Sequence, residues 1–370
     1  MTSSVTSKKG PLRSGYTTGA CAAAAAKGAA EMLLRQTCVS QVSIELPTGE
    51  VASFLLHGQN YSLDSATCFV IKDAGDDPDV TNGAELHAEV TLTPALSPGE
   101  RGQSIIISGG IGIGTVTKPG LAVPPGQWAI NPVPCRMIEQ AINDVLSTHS
   151  SPLTLQVVIS IPDGEQRAKK TLNARLGIIG GLSILGTTGI VRPISAKAWT
   201  DTIDAALDVA KACGCENVVL STGRTSELAA QQHLGSLPEE AYIMMGDHVA
   251  YALQACARRG FMHPVIACQF AKLLKIACGH PNTHAAASEL DLATLRGWAE
   301  AAGLAPEIIT IITRANTARE IALASGFDAG LIEFVAGRAR QAATKHAPGV
   351  AADPLLCRYD GSVAGLVIKA

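Results

Sequence analysis

The sequence predicts two domains: a mixed α+β domain over 1–150, then an α/β domain with a mostly parallel sheet over 151–370. Three observations carry this. At 370 residues the chain is long for a single hydrophobic core. Strand-like runs in its first part follow one another without regular helical alternation. From about residue 155 onward strands and helices alternate, as they do where parallel strands are joined by crossover helices. The polar stretch Ser147-Thr148-His149-Ser150-Ser151-Pro152 separates the two patterns and marks the expected boundary.

The elements follow in order. Thr17-Thr18-Gly19 precedes an alanine-rich run from Ala20 to Leu34, a strong helix with threonines available to cap it. Strands are expected near 42–46, 51–56, 68–71, 86–92 and 104–108. The proline- and glycine-rich segment 93–102 reads as a hairpin loop or a surface insertion. A helix over 135–146 closes this part. Strand 155–161 opens the second, followed by a short polar helix and a glycine-rich segment. Helix 196–213 leads to strand 217–221, helix 226–234 to strand 241–245, and helix 248–259 to strand 265–268, with helix 270–278 after it. Helical periodicity dominates 289–346, and a short hairpin is expected near 356–359 and 363–368. This alternation implies a doubly wound, Rossmann-like sheet, with ligands outside the carboxyl ends of its strands.

Composition narrows the function classes. Charged residues are 16% and the hydrophobic set 47%, which suits a protein with well-filled interiors. No stretch of about 18 uninterrupted apolar residues reads as a membrane span. The polar start, 1–13, has no apolar signal core, so a cytoplasmic location is expected. Ten cysteines are scattered singly apart from Cys213-Gly214-Cys215, with no Cys-x-x-Cys, so reduced and mostly buried thiols are expected. A formal charge of −3, no basic runs and only 4% aromatics argue against nucleic acid as a partner.

Five glycines interrupt the apolar run 175–194: Gly177, Gly180, Gly181, Gly186 and Gly189. Such clusters mark chain that turns tightly or lies against a ligand. The exit Gly186-Thr187-Thr188-Gly189 offers bare amides and two hydroxyls, suited to a nucleotide-like ligand or an anion. Neither a Gly-Lys-Ser/Thr nor a Gly-x-Gly-x-x-Gly is present, so the run matches no standard phosphate or dinucleotide loop. Two strand ends add to it. Ser221-Thr222-Gly223-Arg224-Thr225-Ser226-Glu227 and Gly246-Asp247-His248 each place a glycine beside polar groups at a helix start. Asp247 and Glu227 are candidates for ribose hydroxyls, with a helix cap the alternative for Asp247. His248 is a candidate base or donor, or a packed histidine.

The segment from Lys72 to Glu85 holds four aspartates in seven residues, Asp73, Asp76, Asp77 and Asp79. EF-hand spacing fails there, leaving a solvated turn or an acidic functional loop. Carboxylates this close can raise one another's pKa, which makes Asp73 and Asp76 candidates for acid/base work. Gly109 to Gly120 is a third cluster, in which Lys118 suits a carboxylate or phosphate and a bulged hairpin is equally compatible. His280 and His284 have metal-helix spacing, but Pro281 lies between them and no Glu follows His280, so no metal site is assigned. No Gly-x-Ser-x-Gly elbow occurs.

Taken together, 12–24, 72–85, 109–120 with 129–134, 175–191 and 245–249 resemble the cobalt-precorrin-5B C(1)-methyltransferase family, CbiD. The strings run in order from about Leu12 to about His284. Two features depart from the pattern: 268–273 lacks the glycine expected before Lys272-Leu273, and 93–102 looks inserted. The resemblance implies an S-adenosylmethionine-dependent enzyme of anaerobic cobalamin biosynthesis that methylates C1 of cobalt-precorrin-5B to give cobalt-precorrin-6A. Cobalt then arrives inside the tetrapyrrole substrate and no protein metal is needed. On this reading Gly180, Gly181, Gly186, Thr187, Thr188, Gly189, Gly223 and Asp247 hold the cofactor in the second domain. Thr17, Thr18, Lys118, Arg136, Arg175, Arg192 and Arg224 face the substrate, the cations taking its carboxylates. The resemblance is compatible with a homo-oligomer and with transient contacts to neighbouring pathway enzymes. Another nucleotide-type enzyme on the same scaffold, or a corrinoid carrier without catalysis, are the alternatives.

Overall fold

A computed structural model of the chain describes residues 12–93, 104–147, 153–193 and 195–366. Its contacts separate into two units, Met1–Ser195 and Ala196–Ala370.

The first unit contains β1 (Gly15–Tyr16), α1 (Thr18–Arg35), β2 (Gln41–Glu45), β3 (Val51–Leu55), β4 (His57–Tyr61), β5 (Ser65–Ile71), β6 (Glu85–Thr93), β7 (Ser104–Gly109) and β8 (Thr115–Val116). After these come α2 (Pro132–Leu146), β9 (Thr154–Ser160), α3 (Gly164–Ala168), β10 (Ile178–Ile179) and β11 (Ile190–Val191). Its main sheet has the order β4-β5-β6-β9-β7. All its pairings are antiparallel except β7 with β9, which run parallel. A parallel pair needs a crossover, and α2 supplies it. Ala66, Cys68 and Val70 of β5, Leu86, Ala88 and Val90 of β6, and Leu155, Val157 and Ile159 of β9 alternate onto one buried face.

On that face lies α1. Ala22 to Ala26, Ala29 and Ala30 are all fully buried, so the helix is enclosed rather than amphipathic. It packs against α2, β5 and β6 at once, and alanine lets three elements approach one axis. A Cβ on Gly28 would stand 2.3 Å from a Leu56 methyl carbon. Thr17 caps the helix, its Oγ1 accepting from the amide of Ala20 at 3.2 Å. Helix α2 begins at Pro132, three residues before its expected start, because proline fits the first helical turn.

Two expectations about this unit change. The strand expected to open the second domain is β9, hydrogen-bonded on both sides within the first unit's sheet. The glycine-rich run 175–191 also belongs to the first unit: β10 pairs with β8 and β11 with β1. The units therefore divide at Ser195, not near 150. Most of the polar break expected to mark the boundary, and all but Thr93 of the segment 93–102, lie outside the described residues.

The second unit contains α4 (Ala196–Ala212), β12 (Val219–Ser221), α5 (Arg224–His233), β13 (Tyr242–Met244), α6 (Val249–Arg259), β14 (Val265–Cys268) and α7 (Phe270–Ala277). Then follow α8 (Leu292–Ala301), α9 (Pro306–Arg314), α10 (Ala318–Ala324), α11 (Ala329–His346), β15 (Asp353–Cys357) and β16 (Val363–Leu366). The sheet order is β13-β12-β14-β15-β16, the first four strands parallel and β16 antiparallel. Its strands read as continuous apolar runs because both faces are covered. Val219, Tyr242, Ala267 and Leu355 pack with Ala229 and Ala230 of α5. Leu220, Ile243, Ile266 and Leu356 pack with residues of α4, α6, α7 and α11. Among the described residues no helix is long and apolar enough to cross a membrane.

Candidate functional site

In the second unit the carboxyl ends of β12, β13 and β14 form one group of tips. Parallel pairing sets Ser221 opposite Met244 and Ala267. Beyond the sheet, the Ser221 carbonyl accepts from the amides of Met245 (2.9 Å) and Gly246 (3.2 Å), and Thr222 N donates to Ala267 O at 3.1 Å. The first two tips are thus held edge to edge. Gly223 is the extended N-cap of α5 and makes no side-chain cap, so the first turn keeps its amides for another acceptor. The Ser221 hydroxyl is fully buried and has no partner among the described residues.

Asp247 does not cap α6; His248 occupies the N-cap position, and its side chain makes no cap bond either. The Asp247 carboxylate instead reaches across to α7 and beyond. Its Oδ1 accepts from Lys272 Nζ and from Thr283 Oγ1 (2.6 Å), while Thr283 N donates to the Asp247 carbonyl at 3.0 Å. Lys272 (3.0 Å) and the buried Lys275 (3.1 Å) both donate to the Thr283 carbonyl. Burial pushes the Asp247 pKa up, yet the hydrogen bonds from Lys272 and Thr283 outweigh it and hold the carboxylate below its ordinary range. Burial pushes Lys275 down. No donor among the described residues reaches Asp247 Oδ2, so one oxygen of an ionised carboxylate is left at the tip.

Glu227 is fully buried and takes the Arg224 guanidinium at 2.5 Å, which commits both away from a ribose. The Arg224 side chain nevertheless stays mostly exposed. His280 and His284 lie on irregular chain rather than on one helix face, and His284 Nδ1 accepts from Ala286 N at 3.2 Å.

In the first unit the glycine-rich segments lie on each other. Leu182 N donates to Gly112 O and Gly114 N to Leu182 O, both at 2.9 Å, and Asn131 N to Ile184 O, also at 2.9 Å. A Cβ on Gly181 would stand 2.2 Å from Gly112 O, and one on Gly186 would meet the Thr17 side chain at 2.4 Å. Gly189 likewise faces Leu46. These glycines serve close approach of chain to chain. Gly180, Thr187 and Thr188 remain exposed, although the Thr188 hydroxyl also donates to Ile190 O at 3.1 Å. Gly180 and its neighbours therefore fall in a different unit from Gly223 and Asp247.

The candidate substrate residues divide in the same way. Thr17 and Thr18 are buried, and Thr18 Oγ1 both donates to Leu185 O (3.2 Å) and accepts from Leu185 N (3.0 Å). Lys118 and Arg175 are brought together: the lysine stem packs over Gly177 and its Nζ donates to Arg175 O at 3.2 Å. Arg136 on α2 and Arg192 are exposed.

The acidic loop is a knot of its own rather than a calcium loop. Asp73 pairs with the Arg13 guanidinium and accepts from Gly75 N at 2.8 Å, and Asp76 accepts from Arg13 N at 2.6 Å. The Arg13 hydrogen bond, then the Gly75 amide, hold Asp73 below the usual carboxylate range, opposite to the raised pKa expected from clustered aspartates. At the base of the loop Lys72 is 1% exposed and bonds Asp79 at 2.6 Å. Arg167 donates to Val80 O (2.6 Å) and Asn82 O (2.9 Å).

Lys272, Lys275 and Thr283 carry the Asp247 network and were not singled out in the sequence. The one signal for them is two lysines three apart on an otherwise apolar helix, 270–277.

A family model described as CbiD matches residues 5–193, and one described as CbiD, C-terminal domain, matches 282–367. A cobalt-precorrin-5B C(1)-methyltransferase of Pelobacter propionicus is 58% identical over 378 residues, covering 95% of each chain. Proteins of the same name from Geobacter metallireducens and Geobacter sulfurreducens are 59% and 60% identical, each covering 95% of this chain and 98% of its own. A crystal structure described as cobalamin biosynthesis protein (cbiD) from Archaeoglobus fulgidus is 28% identical, with a TM-score of 0.40, covering 72% of this chain and 80% of that one.

Proposed function

The chain belongs to the CbiD family, and from that premise we propose that it is the cobalt-precorrin-5B C(1)-methyltransferase of its cell, with S-adenosylmethionine as donor. The observation that carries this is the relatives' identity of 58–60% over 95% of the chain, all bearing that name. The donor supplies a methyl group on a positively charged sulfur, and the macrocycle supplies the electron pair at C1. The protein's part is then to hold both in line at near-attack distance and to exclude water, rather than to provide a strong base. An Asp73 kept ionised by Arg13 is in keeping with that division.

We read the second unit's sheet as doubly wound and Rossmann-like. Its order places β12 between β13 and β14, helices cover both faces, and the tips of β12 and β14 flank the crevice where such sheets take ligands. The tips fit the donor. The uncapped first turn of α5 after Gly223 suits its carboxylate, and Asp247 Oδ2 suits its ribose hydroxyls. Substrate binding is assigned mainly to the first unit, where Lys118, Arg136, Arg175 and Arg192 offer cations for acetate and propionate groups and Gly180, Thr187 and Thr188 are exposed. Arg224, in the second unit, would offer its charge to a carboxylate only by loosening its hold on Glu227. Cytoplasmic residence, self-association and contact with neighbouring pathway enzymes belong to the same reading.

The test is direct. Purified protein with methyl-labelled S-adenosylmethionine and cobalt-precorrin-5B should yield a product heavier by one labelled methyl group. An unchanged substrate mass would overturn the reading, and retained tetrapyrrole binding in that case would identify a carrier.

A further inference from the structure

Trp199 stands out in the second unit because its large side chain is 45% exposed and yet fixed. It lies in the first turn of α4 and reaches the tip of β13. Its Nε1–H donates to the carbonyl of Met245 at 3.0 Å. Gly246 lies directly against the ring: a Cβ there would stand 2.8 Å from Cζ2 and 2.9 Å from Nε1. Gly246 has φ +58°, so both its conformation and its contact with the indole exclude a side chain. The imidazole of His248 lies near-parallel on the ring, 27° between planes and 6.4 Å between centres. Residues 245, 246 and 248 thus fix the indole from three points on one strand tip.

A rigid, half-exposed indole is costly to leave in water and serves as a platform for flat π-systems. Its neighbour along the tip decides which one. Asp247 follows the glycine that touches the ring, and its free Oδ2 is an acceptor for a vicinal diol. A diol acceptor one residue from a fixed aromatic face matches a ribose with its base attached. We propose that Trp199 is the adenine platform of the donor site, the base stacking on the indole while the ribose hydroxyls reach Asp247. This rests on the proposed donor and adds a subsite to it. The Met245 bond makes the platform part of the tip, so base and ribose contacts are set by the same four residues.

The test titrates the full-length wild type, Trp199→Phe and Trp199→Leu with S-adenosylhomocysteine, reading affinity by calorimetry and the quenching of tryptophan fluorescence. Wild type should show quenching on binding. Trp199→Leu should bind about tenfold or more weakly and lose the quench. Trp199→Phe keeps a ring but lacks the N–H, and should stay within a few-fold of wild type. Circular dichroism melts check that both variants are folded. Equal affinity in wild type and Trp199→Leu overturns the platform while leaving the methyltransferase reading intact. A Trp199→Phe loss as large as that of Trp199→Leu also overturns it, because the hydrogen bond to Met245 rather than the ring would then be what matters. Weaker tetrapyrrole binding with unchanged S-adenosylhomocysteine affinity would assign the ring to the other substrate. If the wild type itself binds no S-adenosylhomocysteine, the donor assignment fails, and the platform with it.

Discussion

Replacing Asp79 with alanine should damage the first unit far more than its place in a polar loop suggests. Asp79 is the hydrogen-bond partner of the Lys72 ammonium, which is 1% exposed. Removing one member of a buried ion pair leaves an uncompensated charge and costs about 3–5 kcal/mol. Asp79 itself keeps a quarter of its side chain exposed, so water relieves part of that penalty and the lower end, about 3 kcal/mol, is expected. For a unit of this size each kcal/mol moves the melting midpoint by roughly 2–4 °C, which gives a loss of about 6–12 °C. Lys72→Met should cost less, since Asp79 retains the Thr81 amide (2.7 Å) and hydroxyl (2.6 Å). The double variant should recover much of the Asp79→Ala loss, because an apolar pair replaces an ionic one. The pH dependence has a defined sign. Burial raises the Asp79 pKa, but Lys72 and the Thr81 hydrogen bonds outweigh it, so the folded value lies below the unfolded one. The contribution is therefore present above the unfolded carboxylate pKa and lost as pH falls through the folded value, and Asp79→Ala should flatten that acid limb. Differential scanning calorimetry from pH 7 to pH 3 reads all of this. A midpoint shift under about 2 °C for Asp79→Ala, or a larger loss for Lys72→Met, would refute the reasoning.

Three further outcomes follow from the geometry. Asp247→Ala should weaken S-adenosylhomocysteine binding by about tenfold or more, as loss of a hydrogen bond to a charged group does, and isothermal titration measures it; an unchanged affinity would mean the carboxylate only ties α7 to the strand tip. Gly181→Ala places a Cβ 2.2 Å from a backbone oxygen and should destabilise the first unit by about 1–3 kcal/mol. Gly180→Ala meets no atom within 4 Å and should cost about 1–2 kcal/mol through its φ of +86° alone, so thermal melts should rank Gly181→Ala at or below it. Asp73→Asn should retain methyl transfer within a few-fold of wild type in a single-turnover mass assay, since a carboxylate already paired with Arg13 is a poor proton acceptor; a loss of a hundredfold would restore it as a base.

Local signals were enough for much of the fold. Alanine content and a threonine cap place α1, and short apolar runs between helical stretches place the parallel strands, the final β15–β16 pair included. What failed was the assignment of segments whose hydrogen bonds go far along the chain. The run 175–191 looks like the loop after a strand of the second domain, but its partners are Gly112, Asn131, Thr17 and Thr18, from 53 to 172 residues away. No periodicity encodes such pairing. The same holds for the tips: Asp247 and Gly223 are legible as strand-to-helix junctions, whereas the lysine and threonine that hold Asp247 ionised, Lys272 and Thr283, lie 25 and 36 residues on. Trp199 was invisible because nothing in its neighbourhood in sequence says that it reaches Gly246.

The enclosed helix α1 also bears on how the chain is made. During synthesis residues 18–35 leave the ribosome early, while α2 and β9, two of the elements that complete its surroundings, follow more than a hundred residues later. At cellular translation rates that delay is on the order of ten seconds. An alanine-rich helix has little apolar area to collapse on by itself and few large side chains to misassociate. It can therefore wait in water, soluble and unfinished, until the sheet arrives to close around it. A leucine-rich helix of the same length would spend that interval as an aggregation hazard.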